Sequence, residues 1–212
     1  MEFRTLLAQV KDLPLFSSNL LLAGDTSTAL VHKQLSRWVK SGKVIRLRRG
    51  LYTLAEPYRE EAPHPFTLAN QLLAPSYISL QSALAYYELI PEAVPNITSV
   101  TSRKRTQTIS TPFSQFSYRS VQPGLFSGFQ LVEMSPTQRA FLSRPEKALF
   151  DLVYLTPKGE QTTFLKSLRL QNMDLLDLEW MQNFATAIGK PKLVRAVGNL
   201  AQLAAGERYQ TL

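Results

Sequence analysis

Apolar positions near the start of the chain recur at helical spacing. Phe3, Leu6, Leu7 and Val10 fall on one face of a helix, and Pro14 interrupts the run. A second short helix is predicted over 17–23, with Gly24 as its terminator. Asp25, Thr26 and Ser27 are then candidate N-caps for a third helix, because their side-chain oxygens can accept its first free backbone N–H groups. In that helix Val31, Leu35, Trp38 and Val39 make one core-facing stripe. A turn of about 100° per residue puts Thr26, Leu30, Lys33, Arg37 and Lys40 on the opposite face. Gly42 ends the helix, as suits a residue that tolerates a left-handed backbone. The period then drops to two: Ile45 and Leu47 are expected to face in, Arg46 and Arg48 out. Arg49-Gly50 makes a turn and 51–54 a returning strand. Three helices and a hairpin over 1–55 read as a winged helix-turn-helix.

Residues 56–65 hold Pro57, Pro63 and Pro65 with Glu56, Glu60 and Glu61. Proline opposes helix and denies sheet hydrogen bonds, so this stretch reads as an interdomain linker. Over 66–212 the pattern is mixed. Helices are predicted at 66–73, 79–90, 144–153, 162–170, 175–187 and 191–205, and strands at 97–101, 113–120 and 128–134. The last two helices are expected to bury Leu175, Leu178, Met181 and Phe184, then Leu193, Val197, Leu200 and Ala204. The fold class is α+β: a DNA-binding unit, a linker and a larger second domain.

Composition narrows what this arrangement can do. At 44% hydrophobic residues the chain can bury a real core, yet no apolar run approaches the roughly 20 residues of a membrane span. The opening residues lack the features of a signal peptide, and cysteine is absent, which removes disulfides and thiolate chemistry. A cytoplasmic location is expected. The net charge is +8, and residues 1–55 hold nine basic and three acidic side chains. That quarter of the chain carries +6 and the remainder +2. Such asymmetry points to a polyanionic partner, double-stranded DNA before a membrane.

The third helix would enter the major groove, with Thr26, Ser27, Lys33, Arg37 and Lys40 meeting base edges and phosphates. Lys43, Arg46, Arg48 and Arg49 would follow the backbone or the minor groove. A winged helix that serves only protein contacts predicts mixed charge on these elements; here they are almost purely basic. His32, on the flank of the third helix, reads as a packing or phosphate-neighbouring residue, since no metal-ligand cluster accompanies it. The loop Arg103-Lys104-Arg105 admits two readings, a secondary nucleic-acid contact or an ordinary charged loop.

Catalytic patterns are not found. There is no phosphate-binding P-loop and no dinucleotide-binding glycine motif. With His32 and His64 as the only histidines, a zinc site or a histidine triad lacks parts. Asp174, Asp177 and Glu179 crowd one helix start, where acids favour the dipole. Glu146 and Asp151 are five apart and lie on different helix faces. A non-enzyme without cofactor or metal is expected.

Four segments carry a further signal through their order and spacing. RLRRGLY (46–52), SLQSALAYYELIP (79–91), TSVTSRKR (98–105) and RPEKALFDL (144–152) together resemble the AbiEi-type antitoxins of type IV toxin–antitoxin, or abortive phage-infection, systems. The resemblance covers roughly 15–155. It implies a repressor that autoregulates its operon by binding inverted repeats through the winged helix. It further implies a second domain that counteracts a nucleotidyltransferase toxin without requiring a stable complex. Two alternatives come from other classes: a ligand-sensing winged-helix regulator without a toxin, and a DNA-targeted nuclease, which would need clustered acids plus a lysine in the second domain.

Overall fold

The structure, a computed structural model, describes residues 2–22 and 27–210. It is mixed α+β. Helix α1 (Phe3–Val10) buries Leu6 and Val10, as the spacing predicts. The second predicted helix is a short 3-10 turn (Ser18–Leu22) preceded by a two-residue strand, β1 (Phe16–Ser17). Helix α2 (Thr28–Lys40) buries Val31, Leu35 and Trp38. It ends in a Schellman arrangement: Lys43 N–H reaches the Trp38 carbonyl, Gly42 N–H reaches that of Val39, and Gly42 has φ +70°. Strands β2 (Val44–Arg48) and β3 (Leu51–Leu54) form the expected hairpin, and β1 pairs with the other edge of β3.

The hairpin keeps its alternation but buries both of its faces. Ile45 and Leu47 share the face toward the second unit, Leu47 buried and Ile45 partly so, and Arg46 and Arg48 are exposed as expected. In addition Val44, on the other face, is buried too, and a bulge between Arg46 and Arg48 shifts the register. Val44, Tyr52 and Leu54 join a small core with Leu6, Phe16, Leu35 and Trp38. Leu47 and Leu51 instead join the large core of the second unit. All four residues of β3 are consequently buried. The hairpin is a plank between two cores, and each of those leucines adds about 1.5–3 kcal/mol of burial to its side.

The proline-rich stretch is tied to both units. Tyr58 meets the Phe3 ring edge-on at 5.0 Å, and Glu60 accepts from Lys11 at 3.1 Å. Gln138, itself buried, donates to Glu61 at 2.6 Å and accepts from His64 N–H at 2.6 Å. The polar groups of Ser135, Thr137 and Gln138 gathered around Glu61 hold its carboxyl below the usual carboxylate range. His64 then caps α3 (Pro65–Leu72), its Nδ1 accepting from Phe66 N–H.

The second unit is built on a six-stranded mixed sheet of order β6-β7-β5-β4-β9-β8. Its strands are β4 (Ser76–Ile78), β5 (Ile97–Thr101), β6 (Gln107–Ser110), β7 (Gln115–Ser120), β8 (Phe129–Ser135) and β9 (Gln138–Ser143). β4, β6 and β9 lie beyond the predicted strands: β4 is three residues long, and β6 and β9 carry polar residues on one face. Helices α4 (Leu80–Tyr86) and α5 (Pro145–Leu155) pack together beside the sheet. α6 (Thr162–Ser167), α7 (Leu178–Ile188) and α8 (Pro191–Gln210) complete the unit. Leu193, Val197 and Leu200 are buried as expected, but Leu175 is 50% exposed, because α7 starts only after Asp177 caps it.

One buried polar cluster crosses this core. Lys147 and Asp151, one helical turn apart on α5, form an ion pair in which both side chains are almost fully enclosed. Asp151 Oδ2 also accepts from Tyr77 and Ser79 hydroxyls at 2.8 Å each, and Lys147 reaches the Tyr77 oxygen at 2.8 Å. Burial pushes the Asp151 carboxyl up and the Lys147 ammonium down, each opposed by the other's charge. Glu146 points elsewhere and accepts from Asp177 N–H at 3.0 Å. Among the described residues no group of His, Asp and Glu is placed to hold a metal ion.

Candidate nucleic-acid interface

Helix α2 and the β2–β3 hairpin enclose a groove of about 800 Å³. His32, Ser36, Val39 and Lys40 form its helical wall, and these positions recur at i, i+4 and i+7 or i+8. Arg46, Arg48, Arg49 and Gly50 form the opposite wall, with Ser17, Ser18 and Asn19 at one end and Gln71 of α3 at another. The lining holds four cations and no carboxylate. No salt bridge neutralises Lys40, Arg46, Arg48 or Arg49 among the described residues. A concave surface with uncompensated positive charge focuses field on an anion entering it.

Local structure explains how these side chains converge. Arg46 pairs across the hairpin with Tyr52, on the same side as Val44 and Leu54, which turns it toward α2. The bulge rotates the end of the strand, so Arg48 leaves that face and its Nη2 donates to the Gln71 carbonyl at 3.0 Å. Gly50, with φ +81°, closes the turn and its carbonyl accepts from Ser18 N–H, which fixes the 3-10 turn against the hairpin tip.

The sequence-predicted contact residues divide into groups. Lys40, Arg46, Arg48 and Arg49 line the groove. Lys33 and Arg37 are exposed on the neighbouring strip of α2, outside the groove lining, and Arg37 reaches Gln34 at 3.4 Å. Ser27 is exposed at the N-cap position without a side-chain cap bond, and Thr26 lies outside the described residues. Lys43 turns away from the groove, with its ammonium 4.7 Å above the Phe3 ring. Arg103, Lys104 and Arg105 are exposed on the β5–β6 loop.

Sequence reasoning did not select Ser36, Asn19 or Gln71, which carry no charge and share no motif. It left His32 between packing and phosphate proximity; the structure leaves its side chain exposed in the groove wall. The available signal was the spacing of His32, Ser36 and Lys40, a four-residue repeat of polar positions beside the apolar stripe.

Residues 20–55 match the model of a family described as a transcriptional regulator, AbiEi antitoxin. The matched segment runs from the 3-10 turn through α2 and the hairpin to the residue after β3, and thus takes in most of the groove. No curated protein matches the sequence. Among the described residues no helix is long and apolar enough to cross a membrane.

Proposed function

We propose, from a segment that matches AbiEi antitoxin regulators, that this chain binds double-stranded DNA as a winged helix-turn-helix and represses its own operon. The observation that carries the reading is the acid-free groove between α2 and the hairpin, lined by Lys40, Arg46, Arg48 and Arg49. A duplex seated there puts its phosphates against those cations. The exposed outer strip of α2, with Ser27, Lys33 and Arg37, then faces the base edges of the major groove. His32 and Ser36 stand between the two sets and can donate to phosphate oxygens or bases.

In this reading the second unit is the antitoxin portion, acting against a nucleotidyltransferase toxin. Its core holds no metal-binding cluster among the described residues, and its one lysine–aspartate pair is enclosed, out of reach of a substrate. The enclosure of that pair gives it a structural role in the core.

The test joins two readouts. The DNA upstream of this reading frame drives a reporter, while the neighbouring gene is induced in the same cells. The variant R46A/R48A/R49A should derepress the reporter yet still protect growth. Loss of protection by a folded, abundant variant would mean that protection runs only through repression. An unchanged reporter would remove the DNA-binding hairpin from the reading.

A further inference from the structure

We infer that the DNA-binding surface continues past the hairpin, across the end of α3, onto the β5–β6 loop, where Arg103, Lys104 and Arg105 take phosphates of the same duplex. This rests on the DNA-binding reading above and extends it into the second unit.

The end of α3 makes the link. A helix leaves its last carbonyls without partners and carries partial negative charge there, so cations gather at its end. In this chain three different elements donate to carbonyls at that end or just past it. Tyr118 of β7 donates to the Ala69 carbonyl at 2.7 Å, and Arg48 of the hairpin donates to that of Gln71 at 3.0 Å. Two residues beyond the helix, Arg103 of the β5–β6 loop donates through Nε to the Ala74 carbonyl at 2.7 Å. Arg48 is also close enough to Tyr118 for its charge to oppose the upward push of burial on that phenol.

Gln71 and Ala74 are three residues apart, which is at most about 11 Å of chain. With one hydrogen bond at each end, the two guanidinium groups lie within about 20 Å of each other, or about six base pairs of duplex at 3.4 Å each. Each guanidinium has five N–H donors and spends one on its carbonyl, leaving others free for a phosphate. The tether also fixes the side chain before binding, which lowers the ordering cost of the contact. Lys104 and Arg105 are exposed and have no salt-bridge partner among the described residues. Gln71 lines the groove itself, so the loop adjoins the site rather than forming a separate patch.

The chain has no cysteine, so single cysteines can be introduced for site-specific labelling. Full-length Arg49→Cys, Lys104→Cys and Lys166→Cys proteins, each carrying a photoactivatable aryl azide, are irradiated with a 30-base-pair random duplex. Lys166 is the distant control: Ser167 and Leu168 beside it face Asn96 and Thr98, at the opposite end of β5 from Arg103. Positions 49 and 104 should cross-link and position 166 should not. Cross-linking at 49 without 104 overturns the extension and keeps the groove; failure at both positions rejects the DNA-binding reading itself.

A salt titration gives the second arm. K104Q/R105Q should flatten the slope of log K against log salt by about 1.8, from 0.9 per lost phosphate contact. The charge-matched K166Q/R169Q should leave it unchanged. Equal flattening in the two variants would assign the effect to net charge and overturn the proposal.

Discussion

The enclosed Lys147–Asp151 pair offers the sharpest test of what holds the second unit together. Lys147→Met keeps most of the aliphatic stem, which matters because the stem packs against the backbone. A Cβ built on Gly128 would lie 3.0 Å from Lys147 Cγ. The substitution removes the ammonium, leaving Asp151 fully enclosed with only the Tyr77 and Ser79 hydroxyls as donors. Removing one partner of a buried pair costs about 3–5 kcal/mol, because the remaining charge is uncompensated. With a urea m-value near the upper end of about 1–3 kcal/mol/M, the unfolding midpoint should fall by about 1–2 M. The loss should also depend on pH. Burial already pushes the Asp151 carboxyl above its ordinary range, and without the lysine it rises further. A carboxyl whose folded-state pKa exceeds the unfolded value of about 3.9 is stabilised in its protonated form, so stability returns as pH falls. The midpoint deficit, measured by circular dichroism at pH 7 and pH 5, should therefore shrink at pH 5. K147M/D151L, which removes both charges, should recover much of the loss. A deficit under about 1 kcal/mol, or one identical at both pH values, would refute the assignment of a buried, mutually compensating pair.

R46A/R49A should flatten the log K against log salt slope for random duplex by about 1.8, measured by fluorescence anisotropy; an unchanged slope would take both arginines off the phosphates. Leu47→Ala should cost about 2–5 kcal/mol in urea unfolding, since this hairpin leucine is buried in the core of the second unit. Its amide-exchange protection should fall in α3 as well as in the hairpin, whereas a loss confined to the hairpin would deny that the two cores share it. Burial pushes the Tyr87 phenol up to about 12, and its hydroxyl donates to the Ser143 carbonyl. Below the unfolded value of about 10 that contribution is fully present, and it is lost as pH rises toward 12. Tyr87→Phe should thus show a smaller drop in stability between pH 9 and 11 than the parent; an identical drop would contradict the burial.

The pattern of residues determined those features that depend on neighbours in the chain. Val31, Leu35 and Trp38 specify α2 because a helix repeats every 3.6 residues, and Gly42 stops it because only a left-handed residue completes the terminal hydrogen bonds. The turn at Arg49-Gly50 and the basic bias of 1–55 were equally legible, since both are local. Tertiary structure decided everything that depended on what lay across the chain. A second core, invisible in the alternation of 44–48, covers the face of Val44 opposite the one that takes Leu47, and a bulge after Arg46 brings Arg48 to the end of α3. β9 is not legible in the sequence because β4 and β8 complete its backbone hydrogen bonds and α3 covers it, none of which its mixed composition reveals. Asp151 was correctly separated from Glu146 by helix geometry, but its partners Tyr77 and Ser79 lie over 70 residues away. His32 and Ser36 acquire a role only because the hairpin folds back beside them to make a wall of arginines. Periodicity reports which face of an element is apolar; which element covers that face, and which charges meet at its rim, is fixed only when the chain closes on itself.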